Sequence, residues 1–176
     1  PAKIPGEPLR GPSPLDAGGR IVYRSGDHRV SPNLPRELKV LNVSASRKFH
    51  FYCLGCPKNV VDGERMLALL DHAGHQLVED AADADFAVVH TCGFVRDARD
   101  ESLEVIRDMC RLKREGQLER VFVTGCLAER DRERLAEQCP EVDRIIGVFA
   151  REEIATLVDS HFGASQTEDD GQLLVL

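Results

Sequence analysis

The sequence predicts an α/β domain: a mostly parallel sheet with helices on both faces and tails at either end. Three observations lead to that reading. Apolar, β-rich runs alternate with amphipathic stretches through residues 48–163. Two of the runs, FAVVH and VFV, lack the apolar–polar alternation of a half-buried strand, as expected where both faces of a sheet are covered. Finally Cys56, Cys92 and Cys126 each stand just past such a run, 36 and 34 residues apart, close to one strand–helix–strand unit each. If the strands are parallel neighbours, all three thiols emerge at one sheet edge, beyond the carboxyl ends where such sheets place ligands.

The elements follow in order. Residues 48–53 are apolar and aromatic, and Gly55 turns the chain. Pro57 after Cys56 suits a first helical position, where its missing N–H would be unpaired anyway. Met66, Leu69, Leu70 and Ala73 then repeat at helical spacing, with Gly74 as the stop. A short strand is expected at 76–78 and a buried one at 86–91. Asp97 or Asp100 is the expected cap of a helix reaching about residue 115, with Ile106, Met109 and Cys110 inward. Residues 121–124 read as the next strand and 129–138 as one charged helix with Leu135 and Cys139 on its apolar side. A strand at 144–148 and a helix at 152–162, striped by Ile154, Leu157, Val158 and His161, close the domain.

Composition sets the outer limits. The first 47 residues hold seven of the nine prolines, no cysteine and a net charge of +4, whereas residues 48–176 carry −11. The first segment is expected to be a disordered basic arm, or solvated leader, in which residues 20–24 (RIVYR) suit an edge strand or a docking segment. Residues 164–176 read as a polar linker with an apolar end. Six cysteines without an export signal point to a reducing, cytoplasmic setting and to metal or redox chemistry rather than disulfides. No apolar run approaches 18 residues, so no membrane span is expected. The acidic balance and few aromatics argue against a nucleic-acid surface on the domain, although the basic arm leaves an RNA contact open.

Three convergent thiolates suit a soft metal or an iron–sulfur cluster with one open coordination position. Gly55, Gly93 and Gly125 flank them, where a missing Cβ lets backbone approach a bulky ligand. Helix starts after the cysteines would add N–H groups and positive dipole ends. Cys110 and Cys139 read as core residues. Cys53 forms C-L-G-C with Cys56, which admits a redox pair, but alternation places it inside a strand. If the strand continues to Cys92, His90 shares its side and reads as a hydrogen-bonding partner of a cluster sulfur or of backbone, or as the fourth ligand of a zinc site. Lys58, Asn59, Arg96 and Arg130 lie beside the cysteines and are candidates for the mouth of the site.

The segments FYCLGCPKNVVDGERM, VVHTCGFVRDARDESLEVI and VTGCLAER resemble the amino-terminal domain of the methylthiotransferases. These are radical S-adenosylmethionine enzymes that insert sulfur and a methyl group at an unactivated C–H. The resemblance spans residues 48–162 and implies an α/β fold in which Cys56, Cys92 and Cys126 bind a [4Fe–4S] cluster. Its open iron would present the sulfur to be transferred. The wording GCPKN is similar to the RimO branch, which modifies an aspartate of a small-subunit ribosomal protein; the tRNA-adenosine branch usually reads GCQMN. Where the family's second motif usually has Asn, this sequence has His90.

The family's second cluster sits on C-x-x-x-C-x-x-C in a following barrel domain, and that spacing does not occur in these 176 residues. The expectation is therefore an auxiliary-cluster domain, inactive alone, whose partners are the radical S-adenosylmethionine and substrate-binding domains of a full-length enzyme and a ribosomal protein substrate. S-adenosylmethionine would act only through the absent domain. The alternatives are a catalytically inactive scaffold or binding module, a methylthiotransferase domain acting on tRNA adenosine, and a thiol oxidoreductase using Cys53 and Cys56.

Overall fold

The computed structural model describes residues 21–22 and 46–163, so the expectations for the rest of the arm and for residues 164–176 lie outside the described residues. The first described pair, β1 (Ile21–Val22), lies antiparallel on β2 (Lys48–Cys53), with Ile21 opposite Cys53. Residues 20–24 thus supply an edge strand through Ile21 and Val22. Helix α1 (Pro57–His72) leads to β3 (Gln76–Leu77), which pairs with the start of β2, so β3 and β1 divide its outer edge.

β4 (Phe86–Thr91) lies on the other side of β2, followed by β5 (Arg120–Gly125) and β6 (Arg144–Ile146), all parallel. Counted among the parallel strands, the spatial order is 2-1-3-4-5, and it reverses between β2 and β4. Ligands of doubly wound sheets bind at such a reversal.

Helices cover both faces, and strand alternation sorts the core into two layers. Ala87, Val89, Val121 and Val123 face α2 (Arg96–Arg114), α3 (Cys126–Arg130) and α4 (Arg132–Gln138). Phe49, Phe51, Phe86, Val88 and Phe122 face α1 and α5 (Ile154–Gly163). β4 is buried at all six positions, which explains its unbroken apolar sequence. Phe86 is the hub of the second layer, stacked on Phe49 at 5.5 Å and edge-on to Phe122 at 5.7 Å. These large rings fill the amino-terminal end of the sheet, while Cys53, Thr91, Thr124 and Gly125 line the carboxyl end.

Local structure departs from the sequence pattern in four places. α2 begins at Arg96 behind Val95 with no side-chain cap, because neither Asp97 nor Asp100 stands outside the helix. The single helix expected at 129–138 is two, broken at Asp131 (φ −120°, ψ 34°), whose carboxylate is held by Arg99 at 2.5 Å. β6 ends at Ile146, since the Val148 N–H donates to Glu129 Oε2 at 3.1 Å instead of joining the ladder. The residues after it, Val148–Glu153, form a 3₁₀ turn that delays α5 to Ile154.

The aromatic hub predicts a large cost for truncation. Phe122→Ala is expected to lower unfolding stability by about 3–5 kcal/mol. Urea titration followed by circular dichroism should show the midpoint fall with little change in slope; a change below about 1 kcal/mol would mean that the layer repacks around the gap.

Candidate functional site

The ladder fixes where each cysteine-bearing turn stands. Cys53, His90 and Thr124 are in register across β2, β4 and β5, and Thr91 is opposite Gly125. Cys92 and Cys126 therefore leave their strands at equivalent positions, with Cys56 one residue further out. The Leu54 N–H donates to the His90 carbonyl at 2.9 Å, which carries the β2–β4 pairing past the last strand residue. All three thiols share the carboxyl edge at the order reversal. Cys56 is exposed, Cys126 half-buried and Cys92 buried.

The turns pack closely on one another, and the glycines make this possible. A Cβ on Gly55 would stand 2.5 Å from Cys92 Cβ and 2.8 Å from its Sγ. One on Gly93 would stand 2.8 Å from the Leu127 nitrogen and 2.9 Å from the Cys126 carbonyl carbon and oxygen. Gly125 packs on the Thr91 backbone, and its φ of 103° with ψ −166° is open only to glycine. The space that the sequence suggests for a ligand is taken up by neighbouring turns of the protein. These glycines bring the three cysteine turns together.

Side chains lock the arrangement. Buried Asn59 donates through Nδ2 to the Leu54 carbonyl at 2.8 Å and the Thr91 carbonyl at 3.0 Å, tying the Cys56 turn to the Cys92 turn. Arg130 Nη1 donates to the Gly93 carbonyl at 3.1 Å, tying the Cys92 turn to α3. The Cys92 N–H donates to the Ser102 hydroxyl at 3.3 Å, and that hydroxyl donates to the Ala98 carbonyl at 2.7 Å. Ser102 escaped notice in the sequence, although a lone polar residue on the stripe leading to Val105, Ile106 and Met109 was a usable signal. Arg96 is exposed at the start of α2.

Only one cysteine begins a long helix. Cys56 is the N-cap of α1, whose first turn holds no acidic residue. Cys126 opens the five-residue α3, and Cys92 precedes α2 by four residues, so the helix starts expected after every cysteine reduce to one of useful length. Cys53 is buried at the end of β2 and donates to the Asn59 carbonyl at 3.4 Å. Cys110 and Cys139 lie in the α2–α4 layer. Burial raises both thiol pKa values, that of Cys110 to about 12.

The donor set separates two kinds of metal chemistry. Among the described residues, no three His, Cys, Asp or Glu gather closely enough to hold one metal ion. A zinc ion needs its thiolates about 2.3 Å from a common centre, so the expected zinc site of three cysteines and His90 is not assembled. A four-iron cluster is a larger body whose thiolates bind separate irons. Three thiols at graded depth on one edge are a donor set that would suit such a cluster.

His90 lies in the β4 face toward α1, 2% exposed, with neither ring nitrogen hydrogen-bonded. Burial lowers its pKa to about 4, Asp62 opposing the effect and Lys58 and Arg151 adding to it. Burial also lowers the pKa of His50, against a hydrogen bond to Val78 and the charge of Asp80.

Residues 48–147 match the uncharacterized protein family UPF0004. The chain belongs to that family. It is also similar to proteins named ribosomal protein uS12 methylthiotransferase RimO. That of Anaeromyxobacter sp. (strain K) is 46% identical over 111 residues, covering 63% of this chain and 24% of the relative. The Lachnoclostridium phytofermentans protein is 41% identical over 121 residues, 69% of this chain and 28% of its own length. The Sorangium cellulosum protein is 48% identical over 103 residues, 58% of this chain and 21% of its own. The chain thus spans about a quarter of the length of these relatives. The resemblance to methylthiotransferases of the RimO type, read from the three cysteine motifs, stands.

Two outcomes test this geometry. Asn59→Ala leaves two buried carbonyls without their donor and is expected to cost about 1–3 kcal/mol; an unchanged urea midpoint would show that water replaces the amide. The second outcome concerns pH. His90 stays neutral in the fold down to about pH 4. The unfolded chain takes up that proton near pH 6.5, so its contribution is complete above pH 6.5 and is lost as pH falls toward 4. Metal-free protein should be about 2 kcal/mol less stable at pH 5 than at pH 7.5 on this account. A flat profile over that interval would show that the imidazole is solvated.

Proposed function

We propose that this domain is the auxiliary cluster domain of a RimO-like methylthiotransferase, with Cys56, Cys92 and Cys126 holding a [4Fe–4S] cluster. The observation that supports this most directly is three thiols brought to one sheet edge by abutting turns. When bound, such a cluster with an open iron supplies the sulfur for methylthiolation. The chain's own residues hold and position it. Gly55, Gly93 and Gly125 set the spacing of the three turns, and Asn59, Ser102 and Arg130 keep them from separating. Thr91 donates to the Thr124 carbonyl at 2.7 Å and keeps β4 and β5 together just beneath the thiols. Aliphatic and aromatic layers below exclude water from that side.

The names of the relatives supply ribosomal protein uS12 as the substrate in this proposal, and the resemblance to the RimO branch adds an aspartate as the residue modified. The radical S-adenosylmethionine chemistry belongs to other domains of such an enzyme, and residues 48–163 act as its cluster-bearing module. Phe94 and Phe149, 88% and 86% exposed on turns that follow β4 and β6, offer apolar contacts to those domains. A cytoplasmic setting follows from the ribosomal substrate; no described helix is long and apolar enough to cross a membrane. The reading as a binding module shares the same exposed phenylalanines. A Cys53–Cys56 redox pair has less support, because Cys53 is buried in the strand rather than placed at the helix start.

Anaerobic reconstitution with iron and sulfide tests the assignment. The expected result is about four irons per chain. Cys56→Ala, Cys92→Ala and Cys126→Ala should each lose stable uptake, and Cys110→Ala should keep it. A full complement in the Cys92→Ala protein would overturn the ligand set.

A further inference from the structure

The pole of the sheet opposite the cysteines holds two imidazoles under one short stretch of helix. His75 lies in the turn between α1 and β3, its side chain 1% exposed and its ring edge-on to Phe86 at 5.5 Å. His161 lies on the last turn of α5, its ring edge-on to Phe122 at 5.4 Å. Neither ring nitrogen of His75 is hydrogen-bonded, nor is His161 Nε2, and all three atoms are shut off from solvent. Asp159 Oδ1 comes to 3.4 Å from His75 Nε2 without the alignment of a hydrogen bond.

The same turn of α5 carries the cover. Phe162 packs on Phe86 at 5.6 Å, and the guanidinium groups of Arg47 and Arg120 sit over its ring at 4.4 and 5.9 Å. Glu119 fixes Arg47 in turn, at 3.2 Å. Arg47 stands just before β2 and Phe162 just before the end of α5, so this contact clasps the two ends of residues 46–163 to each other. Ser160, between the covering residues, is exposed, so solvent lies one residue away from the rings. Ile154 and Val158, both fully buried, anchor the earlier part of α5 and leave the last turn as the part free to lift.

Both imidazoles are easier to hold neutral than charged while the turn is down. Burial lowers both pKa values. His75 faces the Asp159 carboxylate on α5, which favours its protonated form, and Arg47 ahead of β2, which opposes it. His161 faces Asp143 ahead of β6, against Arg144 on β6, Arg120 on β5 and Lys113 on α2. Asp143 is itself held by Lys113 at 2.6 Å and faces Arg120 at 3.6 Å, so its charge is largely neutralised. When the turn lifts, both rings meet water and regain the ordinary value near 6.5. The open form then binds protons more tightly than the closed one. Closure is therefore fully favoured above about pH 6.5 and weakens as pH falls below it.

We propose that the last turn of α5, Asp159–Phe162, is a pH-sensitive latch over the amino-terminal pole of the sheet, released when His75 and His161 take up protons. Release parts Arg47 from Phe162 and bares the rings of Phe86 and Phe122. The ladder and the cysteine turns at the other pole stay paired, so the latch acts independently of the cluster reading above.

The test is native-state hydrogen exchange of the ¹⁵N-labelled full chain between pH 7.5 and 5.5, corrected for the intrinsic chemical rate. Amides of residues 159–162 should exchange faster than those of β4 at every pH. Their opening constant should rise up to about 100-fold over that interval, about tenfold for each imidazole that gains a proton. His75→Gln and His161→Gln should each remove one tenfold step, and the double variant should be flat. His72→Gln, at an exposed position on α1, should leave the profile unchanged. Imidazole titration followed by nuclear magnetic resonance should place both rings below 6.5.

A flat wild-type profile overturns the latch, as does a midpoint at or above 6.5 for either ring. Exchange of residues 159–162 no faster than that of β4 also overturns it, since the turn then opens only with the whole domain. If His75→Gln does not fold, the half-buried His161→Gln variant decides by keeping or losing its tenfold step.

Discussion

Everything at the cysteine edge depends on glycine backbone lying close against the neighbouring turn or strand, with no Cβ of its own between. β2, β4 and β5 are parallel and in register, but pairing alone leaves the turns beyond them free to splay. The Gly55 turn rests on Cys92, the Gly93 turn on Cys126, and Gly125 on Thr91. A methyl group at any of these contacts would overlap neighbouring atoms, most of them backbone, which cannot rotate away. Asn59 then converts proximity into a fixed relation by giving its amide to carbonyls of two different turns. Three thiols drawn from separate strand–helix units thereby become one edge.

The rest of the domain divides its volume to allow that edge. Large rings sit at the amino-terminal end of the sheet, where Phe49, Phe86 and Phe122 pack among themselves. The carboxyl end has small residues, so helices and turns close in on the strand ends there. Stability is concentrated away from the chemistry, and the cysteine turns inherit their rigidity from the ladder beneath them.

Membership of the UPF0004 family and similarity to RimO-type relatives agree with this geometry at the level of the domain. Phe94 and Phe149 stand exposed on turns that follow two of the parallel strands.

The sequence by itself determined the layered α/β fold and the common edge of the three cysteines. Long buried strands such as 86–91 are written as unbroken apolar runs, and strand–helix units of constant length place successive cysteines alike. Local pattern also marked Cys110 and Cys139 as core, because helical spacing shows which face is buried. The tertiary structure decided what local pattern does not encode. The helix break at Asp131 answers to Arg99 on another helix, and the early end of β6 to Glu129 on α3. Ser102 and His75 acquire meaning only through partners 10 and 84 residues away, Cys92 and Asp159. Burial of His90 without partners is likewise a product of packing. Local interactions leave a periodic trace in the sequence; contacts between distant side chains leave none until the chain has folded.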